Sequence, residues 1–237
     1  MMLEDYHTVA HMMNKRLQGT CKDKCIKSPF GPGWNKDGLK CDHRKEYERI
    51  YPQIKAGIPM EFIQVNGIRP EAQDQWKKFK KLIGNVNKTV TSGIGFCVWG
   101  ELHGVGKTTF TCEFLKLCLQ ANFEGYYIHI KKFQDYVFMF HDKQEQDYRL
   151  KKILHADVLV IDGLGEEYEM DKYKYFPKQL CNFIRLRRNE NKSTTFSTNS
   201  HPEDDLKPRY GDEFFSLMKK RIIPFEMSQR TDLRGKK

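Results

Sequence analysis

The chain has 237 residues, of which 39% are hydrophobic and 30% charged, and its formal net charge is +10. It contains no apolar run long enough to cross a membrane, and its N-terminus lacks the basic start and apolar middle of a signal peptide. We therefore expect a cytoplasmic protein with no membrane partner. Seven cysteines, an odd number, argue against a disulfide framework. The excess of basic residues is typical of proteins that bind a polyanion, and a solvated basic surface is the alternative.

Residues 1–60 form a predicted N-terminal region that begins with a helix over residues 1–18. A Gly/Pro-rich loop follows, flanked by cysteines in the pattern C-x3-C-x15-C-x-H. Four soft ligands in two close pairs suit tetrahedral zinc, and a metal would stabilise a segment with so little apolar content. The predicted Zn²⁺ ligands are Cys21, Cys25, Cys41 and His43. An ordinary surface histidine is the alternative interpretation of His43.

Residues 61–90 are predicted to connect this region to a larger domain. The segment "RPEAQDQWKKFKKLIG" predicts a helix opened by Pro70, with Ala72, Trp76, Phe79 and Ile83 on one side. The following "NVNKTVTSG" has the composition of a linker. We therefore expect the main domain boundary between residues 60 and 90.

Strands and helices alternate through residues 91–237. The predicted strands are "GFCVWG", "GYYIHI", "DVLVID", "TTFSTN" and "IIPFEM", and amphipathic helices lie between them. Nearly every position of "DVLVID" is apolar, as expected for a strand covered on both faces. This alternation predicts an α/β fold with a doubly wound, largely parallel sheet.

The stretch "VWGELHGVGKTTF" has the features of a phosphate-binding loop between a strand and a helix. The usual pattern is G-x-x-x-x-G-K-[ST], but Glu101 stands where the first glycine belongs and Gly100 is one position early. Backbone N–H groups cradle phosphates when no side chain blocks the approach, and a lysine reaches the β- and γ-phosphates. The threonine after it holds Mg²⁺. The predicted ATP-binding residues are Gly104, Val105, Gly106, Lys107, Thr108 and Thr109.

The strand "DVLVID" ends in Asp162, which parallel topology places beside the loop. We predict that Asp162 and Thr108 bind Mg²⁺. Many ATPases of this class have a second acid directly after the first, which polarises the attacking water, but here that position is Gly163. Glu166 and Glu167 follow nearby. Hydrolysis is therefore expected to be slow or to depend on a partner.

Further candidates for the chemistry lie beyond this strand. Asn199 ends the predicted strand "TTFSTN", where it can orient a water near the γ-phosphate, and a plain turn asparagine is the alternative. Arg221, Arg230 and Arg234 lie near the C-terminus, and an arginine that reaches the γ-phosphate of a neighbouring copy would explain one of them. A solvated basic C-terminal segment would explain all three. The residues alone therefore give Lys107, Asp162 and Asn199 as catalytic candidates.

Together these segments resemble the bacterial and phage replicative helicase loaders of the DnaC/DnaI type, which are AAA+ ATPases, and the related transposition ATPase IstB. The resemblance is carried by "YPQIKAGIPMEF", "GVGKTTF", "VLVIDGLGEE", "FSTN" and "YGDEFFSLMKKRI" and covers residues 45–237. Gly163 departs from the family pattern after the magnesium acid. The resemblance implies an AAA+ P-loop domain over residues 91–237, a sensor role for Asn199 and an arginine-finger role for Arg221.

The resemblance also implies a function. Such loaders bind a DnaB-type replicative helicase through their N-terminal region and help to place it on single-stranded DNA. ATP binding assembles them side by side, so we expect self-association through the ATP sites. Candidate DNA contacts are Lys131, Lys132 and Phe133, where cations meet phosphates and a ring can stack on a base. In "WKKFKK" over 76–81 we favour a solvated helix face with Trp76 and Phe79 in the core.

Other functions remain open. One is an IstB-like transposition ATPase, which the cysteine-rich N-terminal region disfavours. Another is an adaptor or inhibitor that binds the helicase without hydrolysing ATP, which Gly163 favours. A small-molecule kinase is disfavoured because no lid-like arginine cluster follows at the expected place.

Overall fold

The computed structural model describes residues 42–64, 68, 72–138, 143–168 and 175–227. The chain divides into two units, residues 1–64 and 65–237. In the first unit the described part contains α1 (Asp42–Lys55) and α2 (Met60–Gln64). The predicted helix over 1–18 and the predicted ligands Cys21, Cys25 and Cys41 lie outside the described residues. His43 belongs to α1, but its side chain also lies outside the description.

The second unit is built on a five-stranded parallel sheet in the order β2-β3-β4-β1-β5. The strands are β1 (Gly95–Trp99), β2 (Gly125–His129), β3 (Val158–Asp162), β4 (Ser193–Thr198) and β5 (Ile222–Glu226). Because all strands are parallel, their carboxyl ends lie along one edge of the sheet. The predicted doubly wound parallel sheet is confirmed, and this edge gathers the loops that follow β1, β3 and β4.

Helices cover both faces of the sheet. They are α3 (Gln73–Ile83), α4 (Val86–Thr91), α5 (Lys107–Gln120), α6 (Ile130–Val137), α7 (Lys143–His155), α8 (Phe176–Asn189), a π-helix (Pro202–Leu206) and α9 (Lys207–Arg221). None of the helices in the described ranges is both long enough and apolar enough to span a bilayer.

The aromatic residues of one face form a tightly packed layer. Phe79 of α3 is fully buried and lies 5.1 Å from the ring of Phe96 on β1, centroid to centroid. Phe96 in turn contacts Phe114 of α5 at 5.1 Å, and the half-buried Trp76 meets Phe110 edge-on at 5.2 Å. Trp76 and Phe79 therefore contribute to the core of the sheet domain, as we favoured from the sequence.

The opposite face packs against the helices that follow β2, β3 and β4. Alternate strand residues point to this side, among them Cys97, Leu159, Ile161 and Phe196. They form one buried cluster with side chains of α6, α8 and α9. Because every residue of β3 is buried, the strand reads as a continuous apolar run rather than an alternating pattern.

Strand β4 is polar in sequence and yet entirely buried. Its hydroxyl groups are satisfied within the domain: Ser193 Oγ donates to Ile94 O at 2.7 Å, and Thr198 Oγ1 donates to Leu164 O at 2.6 Å. Thr195 Oγ1 accepts from Phe96 N at 3.2 Å. Because each buried hydroxyl has a partner, the desolvation cost of a polar central strand is offset.

Three elements of the sheet domain differ from the sequence prediction. The segment predicted as a linker, residues 85–93, contains helix α4, whose N-cap Asn85 accepts a hydrogen bond from Lys88 N at 3.0 Å. Thr89 and Val90 of this helix are buried, so tertiary packing overrides the weak helix propensity of "VNKTVT". Helix α7 was not predicted, and α3 begins at Gln73 rather than at Pro70.

Candidate nucleotide site

The loop between β1 and α5 contains two positions whose backbone conformation favours glycine. Gly104 and Gly106 have φ values of 75° and 99°, and Gly106 is the N-cap of α5. Val105 between them is buried and anchors the loop, whereas Glu101 is exposed. The loop therefore turns onto the N-terminus of a helix, which is the geometry that binds anions through backbone N–H groups.

At Gly100, the feature that favours glycine is the close approach of Met227. A Cβ at this position would lie 3.1 Å from the carbonyl oxygen and 3.2 Å from the Cβ of Met227. Met227 follows β5 and donates its N–H to Trp99 O at 2.8 Å. The close approach of this segment to the end of β1 therefore favours glycine at position 100, next to the irregular start of the loop.

Lys107 points into the loop. Its Nζ donates to Gly100 O at 2.6 Å and to Leu102 O at 2.7 Å, and the residue is 8% exposed. A buried ammonium is costly unless its hydrogen bonds are satisfied, and two loop carbonyls contribute to this. The loop thus concentrates a positive charge at its centre, where a phosphate group would bind.

Asp162 is surrounded by hydroxyl donors. Thr108 Oγ1 donates to Asp162 Oδ1 at 2.9 Å, and Ser197 Oγ donates to the same oxygen. Tyr127 OH donates to Asp162 Oδ2 at 2.7 Å. The structure therefore brings Thr108 and Asp162 together as predicted, and a threonine hydroxyl beside a carboxylate is a donor set that suits Mg²⁺.

Tyr127 and Ser197 were not found from the sequence. They lie on β2 and β4, the two strands that flank β3, and both are buried. Ser197 Oγ also accepts from Gly163 N at 3.1 Å. Both residues lie on predicted strands, but only the strand order shows that their side chains reach Asp162.

Asn199 follows β4 and links the loop to the segment after β3. Its Nδ2 donates to Glu166 Oε1 at 2.7 Å and lies 3.3 Å from His103 Nδ1 in the loop. Glu166 Oε2 lies 3.6 Å from Nε2 of His129. Asn199 is therefore near the predicted nucleotide site, together with two histidines that sequence reasoning missed.

Glu167 has a structural role away from this group. Its carboxylate accepts from Arg209 Nε at 2.6 Å, from Tyr210 OH at 2.6 Å and from Gly165 N at 3.1 Å, and its side chain is 5% exposed. Burial, with the charge of Glu167, raises the pKa of Tyr210 well above its usual range. Glu167 therefore links the segment after β3 to α9 through hydrogen bonds.

Arg221 lies at the other end of the sheet. It precedes β5, whose first residue Ile222 pairs with Gly95 at the start of β1. Its guanidinium donates to Ser92 O and, at 3.1 Å, to Asn191 Oδ1. Arg221 is therefore remote from the candidate nucleotide site of its own chain, where Lys107, Asp162 and Asn199 lie.

The predicted DNA-contacting set is only partly accessible. Phe133 is fully buried and packs against Phe183 with ring centroids 4.9 Å apart, so its ring is not available for stacking on a base. The prediction for Phe133 is therefore wrong, because the residue faces the core on α6. Lys131 and Lys132 instead lie over tyrosine rings, Tyr168 at 5.6 Å and Tyr136 at 5.8 Å.

Comparison with known proteins gives structural matches only. No protein-family model and no curated protein matches the sequence. A DnaC helicase loader superposes with a TM-score of 0.56 at 22% identity, covering 70% of this chain and 94% of that one. DnaI gives 0.54 at 17% identity, with 71% and 94% coverage. AMPPCP-bound DnaA from Aquifex aeolicus gives 0.50 at 13% identity, with 68% and 48% coverage.

These likenesses cover nearly the whole of the two loader structures. At such identities they establish the fold and not the activity. The expected α/β fold is confirmed: this chain has the fold of the DnaC and DnaI helicase loaders.

Proposed function

We propose that this protein is an ATP-binding helicase loader acting in DNA replication. The observation that carries the proposal is the meeting of Lys107, Thr108, Asp162 and Asn199 at one edge of the sheet, in a chain with the fold of DnaC and DnaI. Asp162 ends β3 and Asn199 follows β4, so their proximity to Lys107 and Thr108 is not a consequence of one local motif.

The residues of the loop fit a magnesium nucleotide. Backbone N–H groups of Gly104, Val105 and Gly106, at the start of a helix, suit the phosphate oxygens. Lys107 neutralises phosphate charge, and Thr108 and Asp162 hold Mg²⁺. The metal ion, when bound, screens the charge of the phosphates. DnaA from Aquifex aeolicus, which shares the fold, has been solved with the ATP analogue AMPPCP.

The expected partners are a DnaB-type helicase and single-stranded DNA. The fold of two helicase loaders supports the first, and we assign helicase binding to residues 1–60. The net charge of +10 supports the second. Lys131 lies over the exposed ring of Tyr168, so this pair offers a cation and an aromatic surface to a single strand. Lys132 offers a cation alone, because the ring beneath it, Tyr136, is buried.

Native mass spectrometry tests the proposal directly. The purified protein is mixed with candidate DnaB-type helicase rings, with and without ATP and Mg²⁺, and the complexes are weighed. We expect a complex with a helicase ring, and Lys107→Ala should weaken any ATP-dependent part of it. Absence of a complex with every helicase tried, together with ATP-dependent DNA binding, would favour the transposition ATPase instead.

One observation favours a second candidate, a helicase-binding adaptor that does not hydrolyse ATP. Gly163 stands where many ATPases of this class carry the acid that polarises water. Phosphate release in the presence of helicase and single-stranded DNA separates the two functions. A loader of the enzymatic kind releases phosphate above the level of a Lys107→Ala control, and an adaptor does not.

We also propose a structural zinc ion held by Cys21, Cys25, Cys41 and His43. The other four cysteines are buried in the sheet domain, and burial raises the pKa of Cys97 to about 12, which makes it an inert thiol. The N-terminal cysteines are thus the ones left for a metal. Metal analysis should find one zinc per chain and a loss of zinc in Cys21→Ser, with Cys112→Ser as the control that retains it.

A further inference from the structure

The space beside Gly163 is already filled by another carboxylate. A Cβ built on Gly163 would lie 2.8 Å from His129 Nε2 and 3.2 Å from Glu166 Oε2. Gly163 has a φ of 76°, a conformation that L-residues rarely adopt. The position that carries the second acid in related ATPases therefore lacks a side chain here. The carboxylate of Glu166 lies next to this position instead.

A tight turn brings Glu166 back to this place. Glu166 N donates to Gly163 O at 2.9 Å, and Gly165 within the turn has a φ of 98°. A hydrogen bond to α9 stabilises the turn, since Gly165 N donates to Tyr210 OH at 3.0 Å. The location of the Glu166 carboxylate next to the end of β3 therefore follows from the backbone path of residues 163–166.

Two side chains orient the carboxylate toward the loop. Asn199 Nδ2 donates to Oε1 at 2.7 Å, and His129 Nε2 lies 3.6 Å from Oε2. The same Asn199 amide lies 3.3 Å from His103 Nδ1, so one amide group connects Glu166 with the phosphate-binding loop. A carboxylate has about four acceptor sites, which leaves room for a water molecule.

Exposure distinguishes Glu166 from its neighbour. The Glu166 side chain is 40% exposed and open to water, whereas Glu167 is buried and bonded to Arg209, Tyr210 and Gly165. Of the two acids that follow Gly163 closely in sequence, Glu166 is therefore the one with access to a reacting water.

We infer that Glu166 replaces the acid absent at Gly163 and is the general base for ATP hydrolysis. The inference rests on the proposed ATP binding at the loop. Glu166 accepts a proton from the attacking water, whose oxygen forms a bond to the γ-phosphorus. The bond from that phosphorus to the β–γ bridging oxygen breaks, and its electron pair leaves with ADP. Glu166 then returns the proton to solvent or to the released phosphate.

The test compares Glu166→Gln with the wild type and with Glu203→Gln, which removes the same charge from an exposed glutamate of the π-helix. ATP affinity is measured with a fluorescent ATP analogue, and phosphate release is measured at saturating ATP with helicase and single-stranded DNA. We expect Glu166→Gln to keep the ATP affinity and the thermal midpoint while its kcat falls at least about a hundredfold. Glu203→Gln should match the wild type in all three measurements.

The outcomes separate this inference from the proposed function. A wild-type protein that binds no ATP overturns both. A wild type that binds ATP but releases no phosphate above the Lys107→Ala level overturns the inference and leaves nucleotide binding intact. Hydrolysis by Glu166→Gln at the wild-type rate also overturns the inference alone. Retained affinity with lost turnover, in Glu166→Gln and not in Glu203→Gln, supports it.

Discussion

At the scale of single residues, hydrogen bonds from three neighbouring hydroxyl groups hold the carboxylate of Asp162 in its orientation. Thr108, Ser197 and Tyr127 all donate to it from different elements. Such partners orient a metal-binding carboxylate, and their loss weakens metal binding even though they do not touch the metal. We expect no contact between the Tyr127 hydroxyl and the nucleotide. A substitution there therefore tests the hydrogen bond to Asp162 without removing a nucleotide contact.

Tyr127→Phe tests this arrangement. Removing one hydroxyl donor from a buried carboxylate should raise the Mg²⁺ concentration needed for half-maximal ATP binding about tenfold. ATP binding at saturating Mg²⁺ should stay near the wild-type level, because the ring and its packing remain. Tyr126→Phe is the matched control, since the adjacent Tyr126 side chain is only partly buried. An unchanged Mg²⁺ dependence in Tyr127→Phe would contradict the assignment of Asp162 as the magnesium acid.

Arg187 shows how a buried charge stabilises the domain. It is fully buried, and its guanidinium donates to Ile153 O, Leu154 O and Ala156 O at 2.7–2.9 Å, which satisfies the C-terminal end of α7. It also donates to Ser193 O and Thr194 Oγ1 on β4. Burial lowers the pKa of Arg187 to about 9, so the group still carries its charge at neutral pH.

We expect Arg187→Met to lower the free energy of unfolding by about 3–5 kcal/mol, because several buried carbonyl groups would lose their donor. Arg187→Lys should recover only part of the loss, since one ammonium cannot reach acceptors on both α7 and β4. Urea denaturation measures both effects. The neighbouring Arg188→Met serves as the control, and an equal loss in that variant would show that the effect is not specific to the buried guanidinium.

At the scale of elements, the segment before β1 illustrates the limits of local pattern. "NVNKTVTSG" has the composition of a linker, yet residues 86–91 form α4. Two side chains stabilise this helix: Asn85 caps its N-terminus, and the buried Thr89 Oγ1 donates to Ile83 O at 2.7 Å, joining α4 to the end of α3. Contacts with the domain thus convert a weak helix former into a helix.

Asn85→Ala tests the contribution of this cap. Loss of the side-chain acceptor for Lys88 N should lower the free energy of unfolding by about 1 kcal/mol. Asn85→Asp should keep nearly full stability, since aspartate caps as well as asparagine does. Asn87→Ala, at an exposed position inside the same helix, is the control and should change stability by less than about 0.5 kcal/mol. Chemical denaturation of the three variants distinguishes a capped helix from a flexible linker.

At the scale of the whole molecule, the nucleotide loop and Arg221 lie at opposite ends of the sheet. One chain therefore cannot bring Arg221 to its own ATP. We propose that copies assemble side by side, so that Arg221 of one copy completes the ATP site of the next. In the isolated chain Arg221 bonds to Ser92 O and Asn191 Oδ1, contacts that it would exchange on assembly.

Mixing two inactive variants tests this arrangement. Arg221→Ala should bind ATP normally but lose hydrolysis, by about 10³-fold or more if the arginine acts as in other phosphoryl-transfer enzymes. Lys107→Ala should lose ATP binding. A mixture should regain part of the phosphate release, because Lys107→Ala chains supply Arg221 to the intact loops of the other variant. Each variant alone is the control, and a mixture no more active than its parts would argue against a shared site.

The features that could be predicted from the amino-acid order are those that depend on short-range chemistry. A strand, a glycine-containing loop and a helix in succession position Lys107 and Thr108, and an apolar strand ending in an acid positions Asp162 at the same edge of a parallel sheet. Local pattern was enough to predict the five strands and the helices α3, α5, α6, α8 and α9. These features depend on neighbouring residues, whose spacing is visible in the chain.

Which distant side chains meet became visible in the folded domain alone. Tyr127 and Ser197 reach Asp162 from positions 35 residues away on either side, which requires the strand order. Glu166 and Glu167 are indistinguishable in sequence, but the turn at Gly163 exposes one beside Asn199 and buries the other against α9. Packing also placed Phe133 in the core and Arg221 at the far end of the sheet. The physical reason is that long-range contacts follow from topology and close packing, which local pattern does not specify.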